Sequence, residues 1–394
     1  MILPDGWKEE QLGNLLDFKN GLNFSQNPNG KRLSFLGVGN FKNKKIIRDV
    51  SELDEICLAD FPDDDYLLKK DDLVFVRSNG SKELVGRCVI IGEDFDHATY
   101  SGFCIRGRLK SETTTAYYIE NLIDAGFLRQ KLKKDARGSN ISNLNQEILG
   151  DLLLPFPPLA EQKKIAEVLS AWDKAIELTE KLVAEKELAY SFYVKKLIEE
   201  PSKQKVWNEV KLNDILREGE KIPVEDTSLY KKITVKLHKG GLDFFETDRK
   251  MSDTRPFYKR HTGELIIGKQ NYFNGSIALV SSQFDNCICS NAIMSFSISK
   301  KVNGYFVCEA LSSNSYLKHH EAFANGTGQK ELSESEFLNF TVYLPSLSEQ
   351  EKIASFLACA KKEITLLRSL ATEYRKQKQW LMQKLLTGEM RVTV

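Results

Sequence analysis

LAEQKKIAEVLSAWDKAIELTEKLVAEKELAYSFYVKKLI occupies residues 159–198, and LSEQEKIASFLACAKKEITLLRSLATEYRKQKQWLMQKLL occupies residues 347–386. The two stretches align without a gap at an offset of 188. The pairs Leu159/Leu347, Glu161/Glu349, Gln162/Gln350, Lys164/Lys352, Ile165/Ile353 and Ala166/Ala354 open both copies, and Leu169/Leu357, Ile176/Ile364 and Leu197/Leu385 follow in step. Solenoid repeats have periods of roughly 20–50 residues. A spacing this long instead implies two whole domains, each closed by one long helix.

The duplication reaches beyond the helices. Trp7 is echoed by Trp207 at an offset of 200, while Tyr117-Tyr118-Ile119 matches Tyr305-Phe306-Val307 and Gly138 matches Gly326 at 188. The difference between the two offsets therefore arises early in each copy. A shared framework with a divergent interior is what two related modules with different targets would show, and simple drift would also give it.

Within the first stretch Ile165, Leu169, Trp172, Ile176, Thr179, Val183, Lys186, Tyr190, Tyr193 and Leu197 alternate at spacings of four and three. Their counterparts 188 residues on are Ile353, Leu357, Ala360, Ile364, Leu367, Ala371, Tyr374, Lys378, Leu381 and Leu385. This is a coiled-coil seam, which two antiparallel helices would bury against each other. The alternative is that each helix lies on its own domain. Pro155, Pro157 and Pro158 stop the chain before the first helix and Pro345 before the second; Pro201 and Gly388 are read as their ends.

The resulting fold class is α+β: two tandem mixed α/β domains at 1–155 and 201–345, alternating with helices at 156–200 and 346–394, in a pseudo-twofold repeat. Leu73–Val76, Cys88–Ile91 and Phe103–Ile105 are strand-like in the first domain, as are Leu265–Ile267, Ile277–Val280 and Ala292–Ile298 in the second. Each domain then has a helical stretch, at about 116–133 and 305–324, before a Gly-rich loop.

Composition sets bounds on function. The chain has 394 residues and a net charge of +1. The segment 346–394 carries +4, and no segment is basic enough to hold DNA by counterion release alone. No apolar run reaches the ~18 residues of a membrane span. Seven cysteines without framework spacing point to buried free thiols, Cys287 and Cys289 included, and to a reduced, cytoplasmic setting. Phe35-Leu36-Gly37-Val38-Gly39 resembles a cofactor-binding glycine turn, but no helix pattern follows it, and the chain has no GxxxxGK[ST] phosphate loop. The five histidines lack metal spacing, with His319-His320 read as surface residues. Glu161-x-Lys163 is explained by a carboxylate at a helix start.

Polar clusters recur at matching places. Arg77, Asn79 and Lys82 follow one strand, and Lys269, Gln270 and Asn271 follow its counterpart. Arg137 and Asn140 precede the first long helix, and Gln329 and Lys330 precede the second. Such side chains hydrogen-bond base edges and phosphates, so these ten residues are the candidate DNA contacts. Leu178, Phe192, Phe356 and Trp380 are apolar positions off the seam, and are candidate partner contacts.

Taken together, LPFPPLAEQKKIAEVLSAWD at 154–173, VYLPSLSEQEKIASFLA at 342–358, QKLLTGEMR at 383–391 and the Trp7/Trp207 domain starts resemble the DNA-specificity (S) subunits of type I restriction-modification systems. The resemblance covers essentially the whole chain. It implies two target-recognition domains and two spacer helices that act as a ruler across a bipartite, asymmetric DNA target. It also implies no catalysis by this chain, two methyltransferase (M) subunits and restriction (R) subunits as partners, and S-adenosylmethionine, ATP and Mg on those partners. Two other readings stay open: a coiled-coil scaffold that binds only proteins, and an enzyme acting directly on nucleic acid.

Overall fold

Three prolines bar helix formation until Leu159, because proline lacks the amide hydrogen and its ring crowds the preceding turn. In the computed structural model the first long helix begins at Leu159, runs to Val194 and passes through a π turn at Lys195–Glu199. It finishes as Glu200–Lys203. Pro201 thus lies inside the last turn rather than ending the helix ahead of it. The π turn has already broken the regular ladder that a proline would disrupt. The second long helix spans Leu347–Leu386 and ends at Gly388, whose φ of 75° favours glycine. A Cβ there would also collide with the ring of Pro4.

The structure describes residues 3–41, 44–78, 84–135, 144–245, 255–324 and 331–393. They form two compact units, Met1–Leu178 with Leu370–Val394, and Thr179–Ser369.

In the first unit a five-stranded sheet runs in the order Leu16–Asn20, Cys104–Leu109, Leu73–Val76, Cys88–Ile91 and Ile46–Ile47. The strand Leu73–Val76 is apolar throughout because both its faces are covered. Leu73 and Phe75 point into a core shared with the helix Ala116–Asp124, whereas Val74 and Val76 point into a second core. The second unit repeats the plan with four strands: Leu216–Glu218, Ile293–Ile298, Leu265–Gly268 and Ile277–Leu279. Leu265 and Ile267 enter one core and Ile266 the other. A short ribbon leads into each long helix, Lys8–Gln11 with Leu153–Phe156 and Asn208–Lys211 with Thr341–Leu344. The expected helical stretches are each divided, at Gly126 (φ 93°) and at Ser313.

The two long helices run antiparallel in both units. Trp172 packs edge-on to Tyr374, and Asp173 meets Lys378, in the first. Lys186 meets Glu363, Glu187 meets Arg368 and Tyr193 meets Phe356 in the second. Ile165, Leu169, Leu357, Ile364 and Leu385 are buried as the seam requires, while Trp172, Ile176, Leu197 and Ile353 are half-buried. Burial then leaves the heptad register: Val194 and Ile198 replace Tyr193 and Leu197, and Met382 is buried where Leu381 is only partly so. A straight helix drifts by ~20° per heptad from a 3.5-residue repeat, and the π turn advances the first helix by a further step. The helix ends also belong to the domain cores. Ile165, Leu169, Met382 and Leu385 join the first, and Val194, Ile198, Ala354 and Leu357 the second.

Candidate nucleic-acid interface

The central strand of each sheet ends in a turn that backbone hydrogen bonds hold from two sides. In the first unit the Arg77 amide donates to the carbonyl of Phe103 (2.8 Å), and the Arg77 carbonyl accepts from the amide of Leu144 (2.8 Å). In the second the Lys269 amide donates to Ala292 (3.0 Å), and its carbonyl accepts from Leu332 (3.1 Å). Leu144 and Leu332 are the first apolar positions among the described residues after the Gly-rich loops. The strand-end turn of each repeat therefore meets, in its own unit, the described residue that follows the Gly-rich loop, although the two lie far apart in sequence.

The side chains there are partly solvent-facing. Arg77 Nη1 donates to the carbonyl of Gly102 at 3.4 Å, and Phe103 beside it is exposed. Lys269 lies 3.3 Å from Glu334, while Gln270 and Asn271 are exposed. Asn271 shapes its own turn, with its carbonyl accepting from Asn274 and Ser276 at 3.1 Å each. Candidates Asn79, Lys82, Arg137, Asn140, Gln329 and Lys330 lie outside the described residues.

Buried polar clusters fasten the helices to each domain. In the first unit Asp173 accepts from Tyr117 (2.6 Å) and Lys378 (2.5 Å), while Lys45 reaches Glu120 (3.0 Å) and Asp124 (2.9 Å). Burial pushes the Glu120 carboxyl up to about 7, against the pull of Lys45. Burial, together with the Lys45 charge, lowers the Lys378 ammonium. The second unit places Lys361 3.1 Å from Glu309, and Tyr190 against Tyr305 at 3.4 Å. Asp173 and Lys361 are the same repeat position with opposite charge. A cavity of about 390 Å³ beside the first cluster is lined by Lys45, Arg87, Cys88, Glu120, Asp124 and Arg129.

All four apolar candidates on the helices are exposed, and repeat symmetry pairs them with others. Leu178 (56%) corresponds to Leu366 (60%), Leu182 (39%) to Leu370 (40%), and Phe192 (54%) to Trp380 (55%). Phe356, also exposed, contacts Tyr193, which in turn packs against Phe192. Leu366 stands at the offset of 188 from Leu178, and Leu182 with Leu370 forms a further exposed pair of repeat positions. Two other expectations need correction. His320 is buried, stacked on Tyr316 at 4.1 Å and against Phe340, because the helix turns it inward while His319 stays exposed. Glu161 is more than a helix-start carboxylate: it accepts from Trp7 Nε1 (3.0 Å) and from Arg391 (2.6 and 2.8 Å). Cys287 and Cys289 are buried free thiols.

Among the described residues no group of three or more His, Cys, Asp or Glu side chains is placed to hold a metal ion. No helix among them is long and apolar enough to cross a membrane.

The profile of the family described as "Type I restriction modification DNA specificity domain" matches residues 4–187 and again 204–373. The chain belongs to this family. Like it, the MjaX specificity subunit of Methanocaldococcus jannaschii, which carries a provisional type I restriction enzyme name, is 25% identical over 99% of this chain and 95% of its own length. The StySPI specificity subunit of Salmonella potsdam is 32% identical, over 44% of this chain and 38% of its own. The fold is shared with the crystal structure of a type I restriction-modification S subunit from M. genitalium, with a TM-score of 0.62 at 15% identity. That match covers 100% of this chain and 99% of the other. The two family matches fall on the two repeats, so the specificity domain is present twice, each copy with its own polar strand-end turn.

Proposed function

We propose that this chain reads a bipartite, asymmetric DNA target, one half-site per specificity domain, and that it recruits the subunits that modify and cut the DNA. The observation that carries this reading is the convergence in both repeats of the strand-end turn (Arg77; Lys269, Gln270, Asn271) with the start of the segment leading to the long helix. Two equivalent surfaces with different side chains suit two different half-sites. Base edges would be read by Arg, Asn and Gln, and phosphates held by Lys and backbone amides. The domain limits 1–155 and 201–345 bound the parts that would exchange independently, and the helical segments 156–200 and 346–394 set the length of the unread gap.

The exposed apolar positions support two copies of one partner. Leu178/Leu366 and Phe192/Trp380 present the same chemistry in each repeat, as two M subunits would require. Phe356 extends the patch around Phe192. Catalysis, with S-adenosylmethionine, ATP and Mg, is assigned to the M and R subunits.

The test is to sequence methylated bases in cells that co-express this chain with its M subunit. A bipartite motif is expected, and replacing residues 1–155 with another member's first domain should change one half only. Changes in both halves would reject independent reading. A methylation pattern unaffected by either domain would favour the protein-only scaffold.

A further inference from the structure

The divergent part of the second unit forms a lysine face on an array of four strands. Ile233–Val235 pairs with Leu242–Phe244, and Phe257–Arg260 pairs with Cys287–Ser290. A parallel bridge from Lys232 to Ile288 joins the two ribbons, reinforced by the Ile288 amide donating to Lys231. Residues directly opposite across strands point to the same face. The register therefore places Phe245, Lys232, Ile288 and Lys259 in one row, since Phe245 donates to the Lys232 carbonyl and Lys259 pairs with Ile288. Thr234 and Lys236 follow on the same face, by alternation along their strand. The opposite face carries Ile233, Val235, Phe244, Cys287 and Cys289 into the core, while on the lysine face Ile288 and Phe257 are buried, Lys232 and Lys259 are half-buried and Lys236 is exposed.

Chemically this face suits a polyanion. Lys232 Nζ lies 4.6 Å from the Phe257 ring centre and Lys259 Nζ 4.7 Å from that of Tyr230. Their stems cover apolar surface while the charges stay at the rim. Phe245 is exposed, and Lys236 pairs with Asp243 at 2.6 Å. On this face Lys232, Lys236 and Lys259 stand with one carboxylate, Asp243, which lies opposite Thr234. Among the described residues of the first unit this feature is not repeated at the equivalent place. There Phe35 pairs with Thr99, four residues before the Phe103 carbonyl, as Lys232 pairs with Ile288 four residues before that of Ala292. Phe35 stands where the second unit has Lys232, and Asp54, its other neighbour, stands where the second has Phe245.

We infer that Lys232, Lys236 and Lys259 form a phosphate-backbone contact that only the second domain makes. The inference rests on the DNA-reading function proposed above. It adds that the two halves hold DNA unequally: the second clamps the backbone by charge, and the first relies on its turn. Phosphate contacts position a protein without reading sequence, so the face governs affinity and salt dependence, not the motif.

The experiment uses the full chain co-purified with its M subunit, and compares it with K232Q/K236Q/K259Q, with the single variant K236Q and with K232R/K236R/K259R. Affinity for a random-sequence duplex, and for one carrying the methylation motif mapped in cells, is measured across a salt series. Each phosphate contact contributes about 0.9 to the slope of log affinity against log salt, so the triple Gln variant should lose about 2.7 and K236Q about 0.9. Both duplexes should weaken by the same factor, the Arg variant should keep the slope, and the methylated motif should not change. A Gln variant with the parental slope overturns the inference while leaving the reader function standing. Loss of M co-purification at an unchanged slope overturns it in favour of a protein-docking face. If the parental complex itself binds no duplex, the reading and the inference fall together.

Discussion

Arg391 holds Glu161 in a forked ion pair, its Nε 2.6 Å from one carboxylate oxygen and its Nη2 2.8 Å from the other. Trp7 donates to the same carboxylate, and Arg391 also donates to the carbonyl of Asp5 at 3.2 Å. The segments around Trp7 and Arg391 are thereby fastened to the first turn of the first long helix. The counterpart Glu349 is exposed in the second unit, where Lys203 to Trp207 are continuous chain. In the first unit the corresponding contacts are the side-chain bonds of Arg391 and Trp7 to Glu161.

Arg391→Ala should destabilise the first unit, since the buried Glu161 loses its charged partner and keeps only the Trp7 indole as donor. Arg391→Lys keeps the charge without the fork and should fall between. Glu349→Gln should stay within about 0.5 kcal/mol. Denaturant unfolding of the three variants checks the ordering, and equal costs at Arg391 and Glu349 would contradict the clamp.

Removing one member of the Asp173–Lys378 pair should be worse than removing both. Asp173→Ala strands a buried ammonium and should cost up to about 3–5 kcal/mol, less in so far as Asp173 is part exposed and Lys45 and Asp124 rearrange. The double change to Asp173→Ala with Lys378→Met should recover much of it. A double-mutant cycle measures the coupling, and strict additivity would exclude it.

Glu120 should give stability a pH dependence. Its carboxyl is raised from the ordinary 4.5 to about 7, chiefly by burial. The contribution is fully present below pH 4.5 and is lost as pH rises towards about 7, because only the unfolded chain ionises freely in that window. Relative to Glu120→Gln, the native protein should gain stability on acidification from pH 8 to pH 5.5. Unfolding curves that stay parallel across this range would refute the assignment.

At the turns, Arg77→Ala, Gln270→Ala or Asn271→Ala should cost about 1–3 kcal/mol in target affinity and relax one motif position where the side chain reads a base. Lys269→Ala should weaken all sequences evenly if it holds a phosphate. The same holds for Asn79, Arg137, Asn140 and Gln329 as base readers, and for Lys82 and Lys330 as phosphate holders. Mapping the methylated motif with each variant tells the classes apart, and an unchanged pattern and affinity for the pair Arg77 and Arg137 would move the interface elsewhere.

On the helices, Phe192→Glu and Trp380→Glu should each weaken M co-purification, and together abolish it, with far-UV circular dichroism unchanged. Leu178→Glu with Leu366→Glu should act alike, and Phe356→Glu should add to Phe192→Glu. Retention of two M subunits by the combined variants would assign these residues another role.

The repeat at 188, the helix starts after Pro158 and Pro345, and the apolar runs at Leu73–Val76 and Leu265–Ile267 settled the architecture from sequence alone. Each is a local pattern, and local pattern decides secondary structure when a face or a strand must be buried. Seam register was less legible, because Val194, Ile198 and Met382 depend on helix drift and on a π turn that no periodicity announces. His320 looked like its neighbour until Tyr316 and Phe340 were placed around it.

Sequence by itself therefore determined the elements, their duplication and the family, all of which are encoded by residues close in the chain. Tertiary structure alone decided which distant residues meet: Arg77 with Leu144, Glu161 with Arg391, and Lys232 with Lys259 across Ile288. Those meetings are set by strand register and chain crossing, where a shift of one residue turns every side chain to the other face. No local pattern carries that information.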